Sequence, residues 1–348
     1  MIVSAVLFLA ILGLFARSVL NSKNKTAGDF AVPGKENAIN GLDRGQAAKK
    51  CADCVRRNLD GVYVEKEEAN RPLAAIMIDN HPSARPLAGL DKAGLVYEAE
   101  VEGNYTRLLA VFSTSEEIKE IGPVRSARPY FAEWADELNA VYVHCGGSPE
   151  ALVKIAQRGI DDLNEFYNGQ YFWRPANRKA PHNIFISSAN LNKFFENKSF
   201  KNGDYSLWQF KDDKAAEDRK AANKEIKINF RHEDFRVSWN YDEIDNDYIR
   251  YAGSAPELTA ENNVITAKNV LIQIIPAEVI DGQLRLKMET VGSGQAVICL
   301  DGECRAGGWA KAEKGERARF YYADGDEVSL NAGAIWVEIV RPEVEIAY

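Results

Sequence analysis

The chain has 348 residues, of which 46% are hydrophobic and 27% charged, and its formal net charge is -8. This composition excludes a globally disordered chain. The acidic balance argues against a protein that binds duplex nucleic acid, because such proteins carry a basic surface. At about 150 residues per domain, the length predicts two domains and the charge predicts no nucleic-acid partner.

The chain begins with an apolar segment. Residues 1–16 carry no charge, and Arg17 is the first interruption. About 20 apolar residues cross a bilayer as a helix, and an arginine near the end can reach the interface. We therefore predict a membrane anchor at 1–20, with a cleaved signal peptide as the alternative. The polar residues 21–57 predict a tether, with a short helix over 45–58.

Two signals disagree about which side of the membrane holds the body of the protein. Arg17, Lys23 and Lys25 follow the apolar segment, and the positive-inside rule alone places the body in the cytoplasm. The five cysteines include two plausible pairs, which indicate an oxidising compartment. A basic segment missing upstream of Met1 would reconcile the two signals. We predict a single-pass protein of the cell membrane with its body outside the cytoplasm.

Cys299 and Cys304 flank the sequence Leu-Asp-Gly-Glu. Asp-Gly is a strong signal for a two-residue hairpin loop, and this loop would place the two cysteines directly opposite each other, within reach of a disulfide. We predict that they are bridged. Cys51 and Cys54 form a second pair, C-A-D-C. Free thiols throughout, or a zinc site from both pairs, are the alternatives.

Residues 58–212 predict a layered α/β domain. Buried or alternating apolar runs predict four strands of one sheet, at 73–79, 94–101, 106–113 and 140–145. A helix is predicted after Arg128, and another over 188–196. Between them, Ser148 is a favoured N-cap, Pro149 a favoured first residue, and Gly159 a favoured stop for a third helix.

The second half of the chain has a different pattern. Residues 213–225 are rich in charge and predict a linker. Nearly every run in 226–345 is typical of a strand, punctuated by Gly, Asp and Asn. The predicted fold class is therefore an α/β sandwich domain followed by a smaller β-rich domain, preceded by the membrane anchor.

Three of the four histidines, His81, His144 and His182, lie at loops or strand ends of the predicted α/β domain. Strand ends that open onto loops are the usual place for a site in such a domain. The histidines are candidate catalytic acids or bases together with Glu98 and Glu102, because clustered carboxylates separate their pKa values. The alternatives are structural histidines and a solvent-exposed strand face.

Two further kinds of site have weaker support. Ser148 or Cys145 beside a histidine would make a nucleophile, but the G-x-S-x-G motif is absent. A metal site from Asp79, His81 and His144 lacks a recognised ligand spacing. We expect neither a metal nor a cofactor.

An anion site is the better-founded hypothesis. Arg125 and Arg128 lie where a loop becomes a helix, and the turn at 146–148 opens a second helix. Guanidinium forks suit carboxylates and phosphates, and helix starts present free N–H groups. Internal pairing with Glu133 or Asp136, or with Glu98 or Glu102, is the alternative. The predicted ligand-binding residues are Asp79, Asn80, Arg107, Arg125, Ser126, Arg128, Gly146, Gly147, Ser148 and Asn183.

A run of motifs resembles the YerB-like family of bacterial envelope proteins. They are RPLAAIMIDNHPSARPLAGLDKAGLVYEAEVEGNYTRLLAVF, IGPVRSARPYF, VYVHCGGSPEAL and APHNIF, while VGSGQAVICLDGECRAGGW is similar to the family's second domain. The resemblance covers about residues 58–341, and the candidate site residues all fall within these motifs. It implies an α/β domain with a β-rich partner, located outside the cytoplasmic membrane. Many members look like lipoproteins, whereas this chain lacks the lipobox cysteine. The family implies no established reaction.

These observations predict a membrane-anchored protein that binds an anionic or saccharide ligand, a polymer of the cell envelope. A hydrolase or transferase that acts on this polymer is the first alternative. A scaffold that binds another membrane protein is the second. A cavity where the histidines and arginines converge would favour the first two functions, and a flat apolar surface would favour the scaffold.

Overall fold

The computed structural model describes residues 52–113, 115–198, 200, 205, 207–219 and 221–348. The predicted anchor at 1–20 and most of the predicted tether lie outside these residues. Within the described residues, no helix is long and apolar enough to cross a bilayer. The prediction of a short helix is wrong for residues 52–58, where a short strand and turns occur instead.

The described part of the chain is mostly β-sheet, with three α-helices. The helices are α1 (Pro129–Asp136), α2 (Pro149–Arg158) and α3 (Ser188–Lys198). The strands of the first half are β1 (Val55–Arg56), β2 (Tyr63–Val64), β3 (Leu73–Asp79), β4 (Leu95–Glu100), β5 (Thr106–Ser113), β6 (Val141–His144), β7 (Asp162–Asn164) and β8 (Gln209–Lys211). Those of the second half are β9 (Glu225–Asn229), β10 (Val237–Asp242), β11 (Asp247–Ala252), β12 (Ala255–Pro256), β13 (Thr266–Ala267), β14 (Asn269–Ile274), β15 (Ala277–Val279), β16 (Leu286–Met288), β17 (Gly292–Leu300), β18 (Glu303–Lys311), β19 (Arg319–Tyr322), β20 (Ser329–Asn331), β21 (Ile335–Val340) and β22 (Glu345–Ala347).

One ten-stranded sheet runs through both halves, in the order β19-β18-β17-β14-β21-β4-β5-β3-β6-β7. The four strands predicted between 73 and 145 all belong to it, so the prediction that they share a sheet is confirmed. β21 pairs with β4 in parallel, which places Val337 beside Tyr97. The predicted β-rich region therefore extends the sheet of the first half.

The central sheet is covered on both faces, which explains why β3, β4 and β5 are buried along their whole length. On one face, Met77 and Tyr97 pack in a cluster that also contains apolar residues of α1 and α2. The rings of Tyr97 and Trp134 stack with centroids 5.3 Å apart. Burying a large aromatic side chain stabilises the fold by about 2–3 kcal/mol.

The opposite face of the central sheet packs against α3 and a second sheet. The second sheet has the order β12-β11-β10-β9-β22, with β13 paired to β11. Ile76 and Ile78 join the same apolar cluster as Phe194 of α3. Trp336 of the central sheet contacts Trp239 of the second sheet at 5.0 Å between ring centroids. The predicted α/β sandwich is thus only partly right, because a second sheet covers much of one face.

The end signals of α2 act as predicted. The Ser148 hydroxyl accepts a hydrogen bond from the Ala151 N–H at 3.3 Å, and Pro149 is the first helical residue. Gly159 ends the helix with φ 65°, a left-handed conformation that costs glycine little.

The predicted disulfide is confirmed. Cys299 and Cys304 are bonded, with their Cα atoms 4.1 Å apart, and they are directly paired between β17 and β18. Asp301 and Gly302 form the turn with φ 53° and 74°, as a two-residue hairpin loop requires. Cys51 lies outside the described residues.

Candidate functional site

A cavity of about 250 Å³ opens where β3 ends and β5 begins. Asp79 and Arg107 are directly paired across these two strands. The cavity, called the Arg107 cavity below, is lined by Asp79, His81, Val101, Glu102, Tyr105, Thr106, Arg107, Arg125, His182 and Phe235. It therefore gathers six of the predicted site residues and adds one residue, Phe235, from the second half of the chain.

Asp79 is the central acceptor of the cavity. Its Oδ2 atom lies 2.6 Å from Nδ1 of His182 and 3.0 Å from Nε of Arg125, and its Oδ1 accepts the N–H of His81. The carboxylate is almost fully buried, so two basic partners stabilise its negative charge. The contact to His182 also orients that ring and leaves its Nε2 atom available for a ligand or water.

The rings of His81 and His182 stack, with centroids 4.9 Å apart and an angle of 16° between planes. Nδ1 of His81 accepts the N–H of Ser83, so Nε2 carries the proton of the neutral ring. Burial, followed by the charges of His182 and Arg125, lowers the pKa of His81, although Asp79 acts in the opposite direction. His81 is therefore neutral at pH 7.

Arg107 brings a buried positive charge to the cavity. Arg107 is only 9% exposed, and its Nη1 atom donates a hydrogen bond to the carbonyl oxygen of Ser126 at 2.8 Å. No carboxylate of the described residues lies within ion-pair distance of it. Burial, then the charges of Arg128 and Arg125, lowers the pKa of Arg107 to about 10, although the charges of Glu102 and Asp79 act in the opposite direction. Arg107 therefore remains charged at neutral pH.

Aromatic rings form the outer side of the cavity. Tyr105 is 39% exposed and stacks on Phe235 with centroids 5.2 Å apart. The edge of its ring also meets His81 at 5.7 Å and His232 at 4.8 Å. The sequence analysis missed all three of Tyr105, Phe235 and His232. Tyr105 follows a Glu-Gly-Asn turn, which is a local signal of an exposed aromatic residue, but only the fold brings the other two here.

A second concavity of about 320 Å³ adjoins the first. Glu102 lines both of them, and the guanidinium of Arg128 holds its carboxylate through Nε at 2.6 Å and Nη2 at 2.7 Å. Burial raises the pKa of Glu102, but the hydrogen bonds and charge of Arg128 outweigh this and keep it below the ordinary range. This second concavity, called the Gln283 cavity, is lined by Glu102, Ser126, Arg128, Gly147, Ser148, Pro149, Gln283 and Arg285.

The question of how Arg125 and Arg128 are neutralised has a definite answer. Arg125 pairs with Asp79, and Arg128 pairs with Glu102. Glu102 is one of the internal partners suggested by the sequence, whereas two others, Glu133 and Asp136, bind Lys154 and Arg158 of α2 instead. Arg128 does point toward the turn at 146–148, since it lines the Gln283 cavity with Gly147 and Ser148.

His144 lies apart from both cavities. It is fully buried, and its ring nitrogens contact the Gly146 carbonyl oxygen at 2.8 Å and Asp162 at 3.0 Å. A side chain at Gly146 would collide with Phe166, at 2.8 Å. Asn183 is also outside the cavities and accepts a hydrogen bond from Arg174. These contacts favour the structural alternative for His144.

Glu98 and Asn80 lie behind the Arg107 cavity. Asn80 donates to Glu98 at 2.9 Å and to Thr106 at 2.7 Å, and Arg250 of β11 donates to Glu98 at 2.7 Å. Glu98 is fully buried, so the alternative of a solvent-exposed strand face is wrong for this residue. The network holds Thr106, which lines the cavity, and it connects the site to the second sheet.

The two candidate nucleophiles have other roles. Ser148 caps α2, and the thiol of Cys145 lies 3.5 Å from Glu165. Burial, then the charge of Glu165, raises the pKa of Cys145 to about 11, which keeps the thiol protonated at neutral pH. Neither residue lines the Arg107 cavity. In the described ranges, no group of three or more His, Cys, Asp or Glu is arranged to hold a metal ion.

Comparisons with known proteins identify the family to which this chain belongs. The family described as "Protein of unknown function (DUF3048)" matches this chain through its N-terminal domain at residues 59–201 and its C-terminal domain at residues 226–337. The chain belongs to this YerB-like family, so the resemblance seen in the sequence is confirmed. The Arg107 cavity takes residues from both matched parts, because Phe235 comes from the second.

One protein similar to this chain is the "Putative lipoprotein YerB" of Bacillus subtilis (strain 168). It is 29% identical over 306 residues, which cover 86% of this chain and 90% of that protein. The crystal structure of YerB from Bacillus subtilis is similar with a TM-score of 0.75 at 27% identity, and the match covers 84% of this chain and 100% of that one. The two chains therefore share one fold over nearly their whole length.

Proposed function

We propose that this protein is anchored to the membrane outside the cytoplasm and binds an acidic saccharide of the cell envelope in the Arg107 cavity. The lipoprotein name of the Bacillus subtilis relative supports the location. The apolar residues 1–20 are the candidate anchor. The observation that carries the proposal is the buried, charged Arg107, which faces a cavity and has no paired carboxylate among the described residues.

The energetic argument concerns that charge. A buried ion without a partner costs several kcal/mol, which an opposite charge can offset. The charges of Glu102 and Asp79 offset part of this cost for Arg107, but Asp79 is bound by Arg125 and His182. Glu102 is bound by Arg128. A carboxylate or phosphate of a ligand would give Arg107 an ion-pair partner of its own. Hydrogen bonds that involve charged groups are about twice as strong as those between neutral groups.

The aromatic rings indicate what carries the acidic group. Tyr105 and Phe235 present an apolar surface beside the polar floor formed by Asp79 and Arg107. Ligand sites of this kind combine apolar and aromatic walls with a few well-placed polar groups. A sugar ring has an apolar face of C–H bonds and a rim of hydroxyls, so it matches both surfaces. The cavity of about 250 Å³ suits one acidic sugar unit.

The test compares three monosaccharides with the full-length protein in nanodiscs, by isothermal titration calorimetry. Galacturonic acid and galactose 6-phosphate carry an acidic group, and galactose does not. We expect one or both acids to bind and galactose to bind at least tenfold more weakly. The pair of acids distinguishes a carboxylate ligand from a phosphate ligand. Equal binding of galactose, or binding of none, would overturn the proposal.

Arg107→Met tests the residue that carries the argument. The substitution should weaken binding of the preferred acid about 10- to 100-fold, because one or two charge-assisted hydrogen bonds to the ligand are lost. Its melting temperature should not fall, because the change removes an unpaired buried charge. The matched control is Arg71→Met, since Arg71 is exposed and its ion pair within the described residues is with Glu68. A lower melting temperature with unchanged affinity would assign Arg107 a structural role instead.

Hydrolysis of the same saccharide is a second candidate function, favoured by the contact between Asp79 and His182. Asp79 accepts the Nδ1 proton of His182 at 2.6 Å, which leaves Nε2 to take a proton from water. The test incubates the protein with oligogalacturonate and measures new reducing ends. New reducing ends that form with the wild type but not with His182→Asn would support hydrolysis. If no reducing ends form, hydrolysis is refuted and the binding function stands without it.

A further inference from the structure

The Gln283 cavity lies next to the Arg107 cavity and shares a boundary with it. Glu102 lines both. The backbone of Ser126 accepts a hydrogen bond from Arg107 of the first cavity, while Ser126 itself lines the second. One carboxylate and one loop therefore separate the two cavities, and a ligand longer than one sugar unit placed in the first would reach the second.

The two cavities differ in their chemistry. In the Gln283 cavity, each arginine already has a carboxylate partner. Arg128 binds Glu102, and Arg285 binds Asp281 at 2.5 Å and Glu150 at 2.9 Å. An acidic group of a ligand would have to displace one of these carboxylates. Unlike Arg107, both arginines of this cavity form direct ion pairs within the described residues.

Neutral hydrogen-bonding groups remain available there. The Gln283 side-chain amide and the Ser126 hydroxyl have no hydrogen-bond partner in the part of the chain that the structure describes. The Ser148 hydroxyl accepts the Ala151 N–H, which leaves its own proton free to donate. Hydroxyl and amide groups of this kind match the hydroxyls of a neutral sugar.

We infer that the ligand spans both cavities, with an acidic sugar in the Arg107 cavity and a neutral sugar in the Gln283 cavity. The inference rests on the proposed function and adds the composition and minimum length of the saccharide. Glu102 lies at the junction, and an acidic second unit would have to displace it from Arg128, or displace Asp281 or Glu150 from Arg285. The site thus selects a mixed disaccharide over a uniformly acidic one.

The experiment titrates the full-length protein in nanodiscs with three probes. They are galacturonic acid, a disaccharide of galacturonic acid joined to galactose, and digalacturonic acid. The mixed disaccharide should bind about tenfold tighter than the monosaccharide, as expected for one or two added neutral hydrogen bonds. Digalacturonic acid should gain less than threefold over the monosaccharide. Equal affinity of the mixed disaccharide and the monosaccharide, or tightest binding of digalacturonic acid, would overturn the inference.

Gln283→Ala is the decisive variant. Gln283 lies at an exposed turn between β15 and β16, so its loss should not unfold the protein. The substitution should remove most of the advantage of the mixed disaccharide over the monosaccharide. Gln157→Ala is the matched control, because Gln157 is an exposed amide of α2 outside both cavities. An unchanged advantage in Gln283→Ala would overturn the two-cavity inference, whereas failure of these probes and of galactose 6-phosphate to bind would overturn the proposed function itself.

Discussion

At the scale of single residues, two arginines near each other in space have opposite surroundings. Arg128 has its own carboxylate, Glu102, held by two hydrogen bonds. Arg107 lies deeper, and its Nη1 atom donates a hydrogen bond to the neutral carbonyl oxygen of Ser126. The same type of side chain therefore stabilises a carboxylate in one position, and in the other it is the group that we propose for ligand binding. Burial alone does not distinguish the two arginines, whereas the presence or absence of a directly paired carboxylate does.

Arg128→Met should destabilise the protein, because it leaves the partly buried carboxylate of Glu102 without its partner. We expect a loss of about 1–3 kcal/mol at pH 7, measured by urea denaturation. The folded-state pKa of Glu102 lies below 4.5, so the pair contributes fully above that pH. Its contribution is lost as the pH falls through the lowered folded-state value. The difference between wild type and variant should therefore shrink in acid.

The control for this prediction is the double variant Arg128→Met with Glu102→Gln. Removing the orphaned negative charge should recover part of the lost stability at pH 7. A single variant as stable as the wild type would show that the pair is energetically neutral. A difference that does not shrink as the pH is lowered would contradict the role of Glu102.

At the scale of elements, the β17–β18 hairpin combines a tight turn with a covalent bond. Asp301 is buried and binds Lys211, Asn246 and Asn331, so the turn is also tied to the rest of the fold by polar contacts. Burial acts to raise the pKa of Asp301, but its hydrogen bonds, first of all with Lys211, lower it. The disulfide therefore reinforces a turn that is already held on several sides.

Replacing both bridged cysteines, Cys299→Ala with Cys304→Ala, should cost only about 2 kcal/mol, since the closed loop is short and restricts few conformations of the unfolded chain. Chemical denaturation of the variant and of the oxidised wild type measures the difference. The reduced wild type is the control and should resemble the variant. Peptide mapping after thiol labelling of the oxidised protein should find neither cysteine modified; labelling of both would refute the bridge.

At the scale of the whole molecule, the two halves of the chain share one sheet and several buried charges. β21 forms parallel pairing with the edge of β4 that faces away from β5. Glu98 and Glu100 of β4 are fully buried and pair with Arg250 and Arg341 of the second half. Removing the second half would leave an open strand edge and two unpaired buried carboxylates. Each half therefore depends on the other for its stability.

Residues 58–212 expressed alone should fail to fold stably, because the loss of these partners costs about 3–5 kcal/mol for each broken buried pair. Circular dichroism on heating should show no cooperative transition, and the fragment should aggregate through the exposed edge of β4. Supplying residues 213–348 as a separate chain is the control and should restore a soluble complex. A cooperative melt of the isolated fragment would contradict this dependence.

The sequence by itself determined the features that depend on neighbours along the chain. The strands at 73–79 and 106–113, the cap of α2 at Ser148, and the Cys299–Cys304 hairpin were all predicted, because periodicity, capping and turn residues act locally. Of the candidate site, it identified six residues of the Arg107 cavity, all on motifs at strand ends or in the adjoining loops.

The tertiary structure alone decided the features that need distant residues to meet. It joined β21 to β4 across more than two hundred residues, brought Phe235 to Tyr105, and buried His144 away from the cavity. It also decided which arginine receives a carboxylate and which does not. Pairing of charges depends on distances of a few ångströms between separate elements, and no local pattern in the sequence encodes those distances.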